Sequence, residues 1–189
     1  MDTRLPAVLL ALAVVLPASP AFADDYSDTI KTFRSAGQSG KFFGSSYGYA
    51  VFPTIGKGGI GIGGAHGSGR VYQKNAHVGD SSMTQITIGL QLGGQAYSQV
   101  IFFQDKRAFD QFTSGNFEFG AQATAVAITA GAQAQAGTTG AGTGASGTQK
   151  SAATTGGYQN GMAVFTVAKG GLMYEASIGG QKFSYEKKK

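Results

Sequence analysis

The chain has 189 residues, of which 31 are glycine and 13% are charged, with no cysteine and no tryptophan. One domain is expected at this length, and a disulfide-stapled or cysteine-ligated metal protein is excluded. Glycine at about one residue in six is more than twice its ordinary share, yet the 42% apolar residues are too many for a collagen-like or fully disordered polymer. The net charge of +5 favours anionic surfaces without the excess that nucleic-acid binding demands, so no nucleic-acid partner is expected.

Residues 1–23 read as an export signal. Arg4 precedes an apolar run at 5–16, followed by Pro17, Ser19 and Pro20 and the small-x-small triplet Ala21-Phe22-Ala23. The run is short of the roughly 20 residues a permanent span needs. No cysteine follows it for lipid attachment, so the expectation is a mature chain from Asp24, residues 24–189, that is periplasmic or secreted.

At 25–36, Tyr26, Ile30 and Phe33 recur at helical spacing with Gly37 beyond them, which predicts a short amphipathic helix. Strand signals then dominate. Gly59-Ile60-Gly61-Ile62-Gly63 alternates bulky and bare positions, and His66-Gly67-Ser68-Gly69 reads as the turn of a hairpin over 59–73. Thr84 opens an alternation placing Ile86, Ile88, Leu90 and Leu92 on one face, paired through Gly93-Gly94 with a strand at 97–103. Val100-Ile101-Phe102-Phe103 is apolar on both faces and therefore central. Asp105 can cap a second short helix reaching Thr113, closed by Gly115. A strand at 117–130, a hairpin of 161–168 with 172–178, and a last segment at 181–185 follow. Between them, residues 131–157 are almost wholly Ala, Gly, Thr, Gln and Ser, a low-complexity loop with little to bury. The fold class is α+β: a β-rich antiparallel sheet, or a small barrel or sandwich of hairpins, with a short N-terminal helix and one short internal helix.

Chemistry-bearing groups are few. The glycines around Lys57 lack the fixed spacing and following helix of a phosphate loop. His66 and His77 would need a carboxylate such as Asp80 to hold a metal. Glu118 and Glu175 are better explained as solvent-facing strand residues than as a carboxylate pair. No nucleophile, base and orienting group come together by spacing, so no enzyme, metal or cofactor is expected. Charge placement says more: Lys31, Arg34, Lys41, Lys57, Arg70 and Lys74 fall within 29–79, where no acid occurs. At roughly 1 kcal/mol per base near an anionic lipid surface, such a face would support weak, salt-sensitive membrane association; from composition alone, lysines that merely solubilise a glycine-rich fold are the favoured account.

Five blocks carry a family likeness: Tyr47-Gly48-Tyr49-Ala50-Val51-Phe52-Pro53 with Ile55-Gly56-Lys57-Gly58-Gly59; Gly67-Ser68-Gly69-Arg70-Val71-Tyr72; Gly93-Gly94-Gln95-Ala96-Tyr97-Ser98 with Phe102-Phe103; Phe117-Glu118-Phe119-Gly120-Ala121; and Lys169-Gly170-Gly171-Leu172-Met173. In this order, across residues 26–185, they resemble the SYLF domain in its bacterial secreted form. The resemblance implies a lipid-binding module, since animal members bind phosphoinositides through an N-terminal amphipathic helix and basic residues, and fungal members also bind actin filaments. This chain lacks the tryptophan common in eukaryotic members and is expected to be exported to a place without actin, so actin is not an expected partner. The resemblance carries over to Lys31 and Arg34 on the helix and to Lys57 in the glycine block; with Lys41 from the basic cluster and Ile30 and Phe33 from the helix stripe, these are the expected lipid-binding residues, with anionic phospholipid or a membrane surface as partner. A structural or scaffold protein of the envelope is the alternative. An outer-membrane β-barrel is the more distant one, disfavoured by a chain ending in lysines and by glycine strands that offer lipid little side chain.

Overall fold

A computed structural model describes residues 21–36, 38–89, 95–128, 157–169 and 177–189. Most of the predicted signal segment, the bulk of the low-complexity stretch, the Gly93-Gly94 turn and the predicted strand at 172–178 up to residue 176 lie outside these residues. In chain order the elements are α1 (Ala21–Ser35), α2 (Phe42–Ser45), β1 (Gly48–Gln73), β2 (Ala76–Gly89), β3 (Gln95–Phe103), α3 (Lys106–Phe112), β4 (Phe117–Glu118), β5 (Val126–Ile128), β6 (Met162–Lys169) and β7 (Lys182–Lys187). The β-rich α+β class is borne out. The strands form one curled seven-stranded sheet in the order β4-β7-β2-β1-β3-β6-β5, antiparallel throughout except for the parallel pair β5 and β6.

The sheet is organised by β1. Residues 48–57 of this 26-residue strand pair with β3, while residues 61–73 pair with β2. The change of partner falls at Gly59, whose φ of +143° is open to glycine and strained for other residues. Beyond it the strand returns over its own first half. A Cβ on Gly67 would lie 2.7 Å from Ile55 Cγ1 and 2.8 Å from the Thr54 carbonyl oxygen, and one on Gly69 would lie 2.5 Å from two atoms of the Phe52 ring. Gly67-Ser68-Gly69 is therefore mid-strand, correcting the predicted turn there. Its glycines permit close approach of two segments of β1. The turn itself is Lys74-Asn75, with φ values of 49° and 65°, a two-residue reversal of the kind that asparagine tolerates.

Pairing differs from the expected hairpins elsewhere too. β2 lies between β1 and β7, and β3 between β1 and β6, so β2 and β3 are not partners. The strand expected at 117–130 is two short pieces, β4 and β5. The last expected segment is β7, with Phe183 buried and Tyr185 packed beside it.

Two apolar cores result. Inside the curl, Phe52, Ile55, Met83, Ile101, Phe103, Phe112 and Phe183 pack together, with Phe52 and Phe183 ring centroids 5.5 Å apart. On the outer face of β1, β3 and β6, the side chains of Tyr49, Val51, Val100, Phe102 and Phe165 are covered by Phe33 of α1 and Phe42 and Phe43 of α2. Because β3 is covered on both sides, Val100 to Phe103 are all fully buried, as their apolar run predicts. The inner core also holds a polar group: Gln99 Nε2 donates to Gln181 Oε1 at 2.9 Å, and Gln181 Nε2 donates to the Tyr97 hydroxyl at 3.0 Å. Burial pushes the Tyr97 phenol up to about 12. The α3 cap is as read: the Asp105 carboxylate accepts from the Ala108 amide at 2.9 Å, and Gly115 takes φ +92° past the helix end.

Candidate functional site

The helix α1 presents the predicted apolar stripe and basic flank, but the stripe faces the sheet. Phe33 is fully buried, while Tyr26 and Ile30 are half-buried against the same outer core. In this structure Phe33 anchors the helix to the sheet and does not reach lipid, a correction to its predicted place in a contact surface. The basic flank faces solvent. Lys31 is paired with Asp28 at 3.0 Å, both well exposed. Arg34 lies over the Phe43 ring, 4.6 Å from its centroid, and donates to Asn75 Oδ1 at 3.1 Å, where the Tyr49 hydroxyl also donates. Burial raises the Tyr49 phenol while the Arg34 charge pulls it back. At the other end of the helix, the Arg70 guanidinium lies 4.2 Å from the centre of the Tyr26 ring.

These contacts lay α1 along the last residues of β1 and bring Arg34 beside the Lys74-Asn75 turn. Gly40 packs against the Arg34 carbonyl, where a Cβ would come within 2.5 Å of the oxygen, so exposed Lys41 follows at the same end of the helix. The structure thus collects Lys31, Arg34 and Lys41 with Lys74 and Arg70 along one edge. Lys57 is not part of it. It stands eight residues beyond Tyr49 on β1, about 26 Å of extended strand away.

Lys57 has different company. It pairs in register with Gln95, and on the next row Gly56 pairs with Ala96, whose other partner is Lys169. Lys169 Nζ donates to Thr54 Oγ1 at 2.7 Å. Neither lysine has an ion-pair partner among the described residues. On the adjoining part of β1 and β2, Ile62 is 74% and Ile86 80% exposed, the exposed large apolar side chains among the described residues. The register Gly64↔Ile86 places both on one face. The alternation at 84–92 is legible, but Ile86 points outward. Gln85 points inward, buried, and donates to the Gly179 carbonyl at 2.9 Å. Reading the parity back from Val71 and Met83, both fully buried, would have found this, since each strand keeps one face.

The remaining candidates assemble no chemistry among the described residues, outside which Glu175 lies. His77 Nε2 lies 3.0 Å from Asp80 Oδ1, His66 is exposed, and no group of three metal-ligating side chains occurs among the described residues. Glu118 is paired in register with Lys182, with which it makes a 3.6 Å ion pair. A cavity of about 360 Å³ lies between β6 and the 117–124 segment, lined by Phe117, Phe119, Val164 and Ile178 with Glu118 and Gln159. Among the described residues no helix is long and apolar enough to cross a membrane.

Fold and site together define a β-rich module: a curled sheet with one cationic edge and one pair of exposed isoleucines among the described residues. The model of the Ysc84 family, described as Las17-binding protein actin regulator, matches residues 84–189. The chain belongs to this family, the SYLF family that its motifs resemble. It is also 28% identical over 159 residues to Beta cell expansion factor A of Aeromonas veronii, across 84% of this chain and 53% of that protein. The chain therefore spans about half the length of that curated relative.

Proposed function

We propose that this protein is a non-enzymatic lipid-binding module of the cell envelope, exported to the periplasm or beyond, that associates with anionic phospholipid. The observation that carries this reading is the gathering of Lys31, Arg34, Lys41, Lys74 and Arg70 along α1 and the end of β1. Arg34 and Arg70 are held there by aromatic faces and, for Arg34, by Asn75. Membership of the SYLF family supports a binding role, and the export signal read at 1–23 supports the location. For an exported chain actin is not the expected partner, so the regulatory activity in the family's description is not assigned to it.

Attraction is electrostatic and long-ranged. Acids stand among the bases, however: Asp28 pairs with Lys31, and Asp80 is the register partner of Arg70. The edge therefore has a modest excess, and binding is weak and lost at high salt. Sedimentation with phosphatidylglycerol vesicles, set against phosphatidylcholine vesicles, tests the proposal. Charge reversal by Lys31→Glu with Arg34→Glu removes two bases at about 1 kcal/mol each, so affinity falls roughly thirtyfold or more. Equal binding to the two vesicle types, or no effect of the double reversal, refutes the reading.

A further inference from the structure

We infer that the part of this molecule that enters the acyl region of an anionic bilayer is the bend in the middle of β1, around Gly59, with the adjoining end of β2, through Ile62 and Ile86, flanked by Lys57 and Lys169. The inference rests on the lipid-binding reading above and replaces α1 as the inserting element.

A single exposed isoleucine on a strand needs no explanation. Here two stand on the same face of neighbouring strands, 74% and 80% exposed, while the other large apolar side chains described are buried or half-buried. The surroundings leave them proud of the surface. A Cβ added at Gly56 or Gly58 would meet nothing within 4 Å, and one at Gly64 would meet only the Gln85 carbonyl oxygen, at 3.6 Å. The apolar stripe of α1 cannot play this part, because Phe33 has no exposed surface to give.

Charge selects the occupant. Residues 54–69, 81–89, 95–104 and 159–169 contain no aspartate or glutamate. Lys57 and Lys169 thus stand on strand segments that carry no acid, and Glu118, on the row of Thr84 beyond Lys182, is itself paired with Lys182, whereas the helix edge mixes its bases with Asp25, Asp28 and Asp80. Two isoleucines are far smaller than the roughly 800 Å² per partner of a stable protein interface. A fluid bilayer needs no shape-matched counterpart: an aliphatic tip reaches the acyl boundary while lysines stay at the phosphate level. Anionic lipid therefore fits this bend better than a second copy of the chain does.

The test uses the full mature chain and vesicles of equal parts phosphatidylglycerol and phosphatidylcholine. Ile62→Ser with Ile86→Ser removes both aliphatic groups from exposed positions, so circular dichroism and the unfolding temperature stay as in the wild type. Vesicle affinity falls by about a hundredfold, from roughly tenfold for each lost side chain. Because the chain contains no tryptophan, Ile62→Trp supplies one tryptophan that can be excited selectively over the tyrosines, and its fluorescence shifts to the blue on adding vesicles. If the wild type does not sediment with these vesicles, the lipid-binding reading itself is lost. If it does, but the serine pair binds equally well or the introduced tryptophan keeps its water-exposed emission, this inference is overturned while that reading stands. A concentration-dependent dimer abolished by the serine pair, with lipid binding unchanged, overturns it in favour of self-association.

Discussion

Substituting Gly67 by alanine tests whether β1 truly folds over itself. The added methyl would lie 2.7 Å from Ile55 Cγ1, 2.8 Å from the Thr54 carbonyl oxygen and 3.1 Å from Ile55 Cα. Two of these three atoms are backbone, so no change of rotamer relieves the contact and the two segments of the strand must part. Overpacking of a full core costs about 1–3 kcal/mol, and the backbone obstruction here puts the cost near the upper end, about 3 kcal/mol. For a domain of this size each kcal/mol lowers the melting temperature by roughly 2–4 °C, so Gly67→Ala melts roughly 6–12 °C below the wild type. Gly64→Ala, three residues away with only a 3.6 Å neighbour, is the control and leaves the melting temperature within about 2 °C, since ordinary van der Waals contact carries no strain. Differential scanning calorimetry at neutral pH reads both. If Gly67→Ala melts with the wild type, the close approach of residues 54–55 to residue 67 is wrong, and the curl with it.

The Tyr97 phenol, raised by burial to about 12 from an ordinary 10.0, makes stability depend on alkaline pH. Its neutral form is favoured in the folded state, so its contribution is complete below pH 10 and is lost between pH 10 and 12 as the unfolded chain ionises first. At about 1.4 kcal/mol per unit this is roughly 2–3 kcal/mol. Urea midpoints across that window should fall, and Tyr97→Phe should flatten the fall; an equal slope in the variant contradicts the assignment. Gln181→Leu strands the Gln99 amide and the Tyr97 hydroxyl at a cost of about 2–3 kcal/mol, while Gln99→Leu added to it recovers part of the loss, and strict additivity in a double-mutant cycle would count against the network. Asp105→Ala removes the α3 cap and costs about 1 kcal/mol, read as a lower urea midpoint with an unchanged slope.

Local rules found the parts of the fold that local forces decide. The cap at Asp105, the closing glycine at 115 and the doubly apolar run at 100–103 depend on neighbours a few residues away or on burial from both sides, and all three are as read. The course of β1 is not of that kind. Gly67 and Gly69 imitate a turn in composition, but they answer to Ile55 and Phe52, twelve and seventeen residues earlier, whose approach no local window reveals. The actual turn was hidden because Lys74 occupies a left-handed position that lysine seldom signals. The alternation at 84–92 separated two faces without saying which is inside, and Gln85 reversed the natural guess because the interior holds a carbonyl, that of Gly179, in need of a donor. For the candidate site, the sequence supplied the bases of the helix edge. It could not tell that Lys57 stands apart from them, or that the helix spends Phe33 on the sheet.

The position of β7 also governs how the molecule comes into being. It lies between β2 and β4, and its Ser184 meets Ser82 across 102 residues of chain. Until that distant segment arrives, β2 has a bare rim and the interior lacks Phe183. Assembly therefore waits on a late, non-local pairing, a pattern that slows folding.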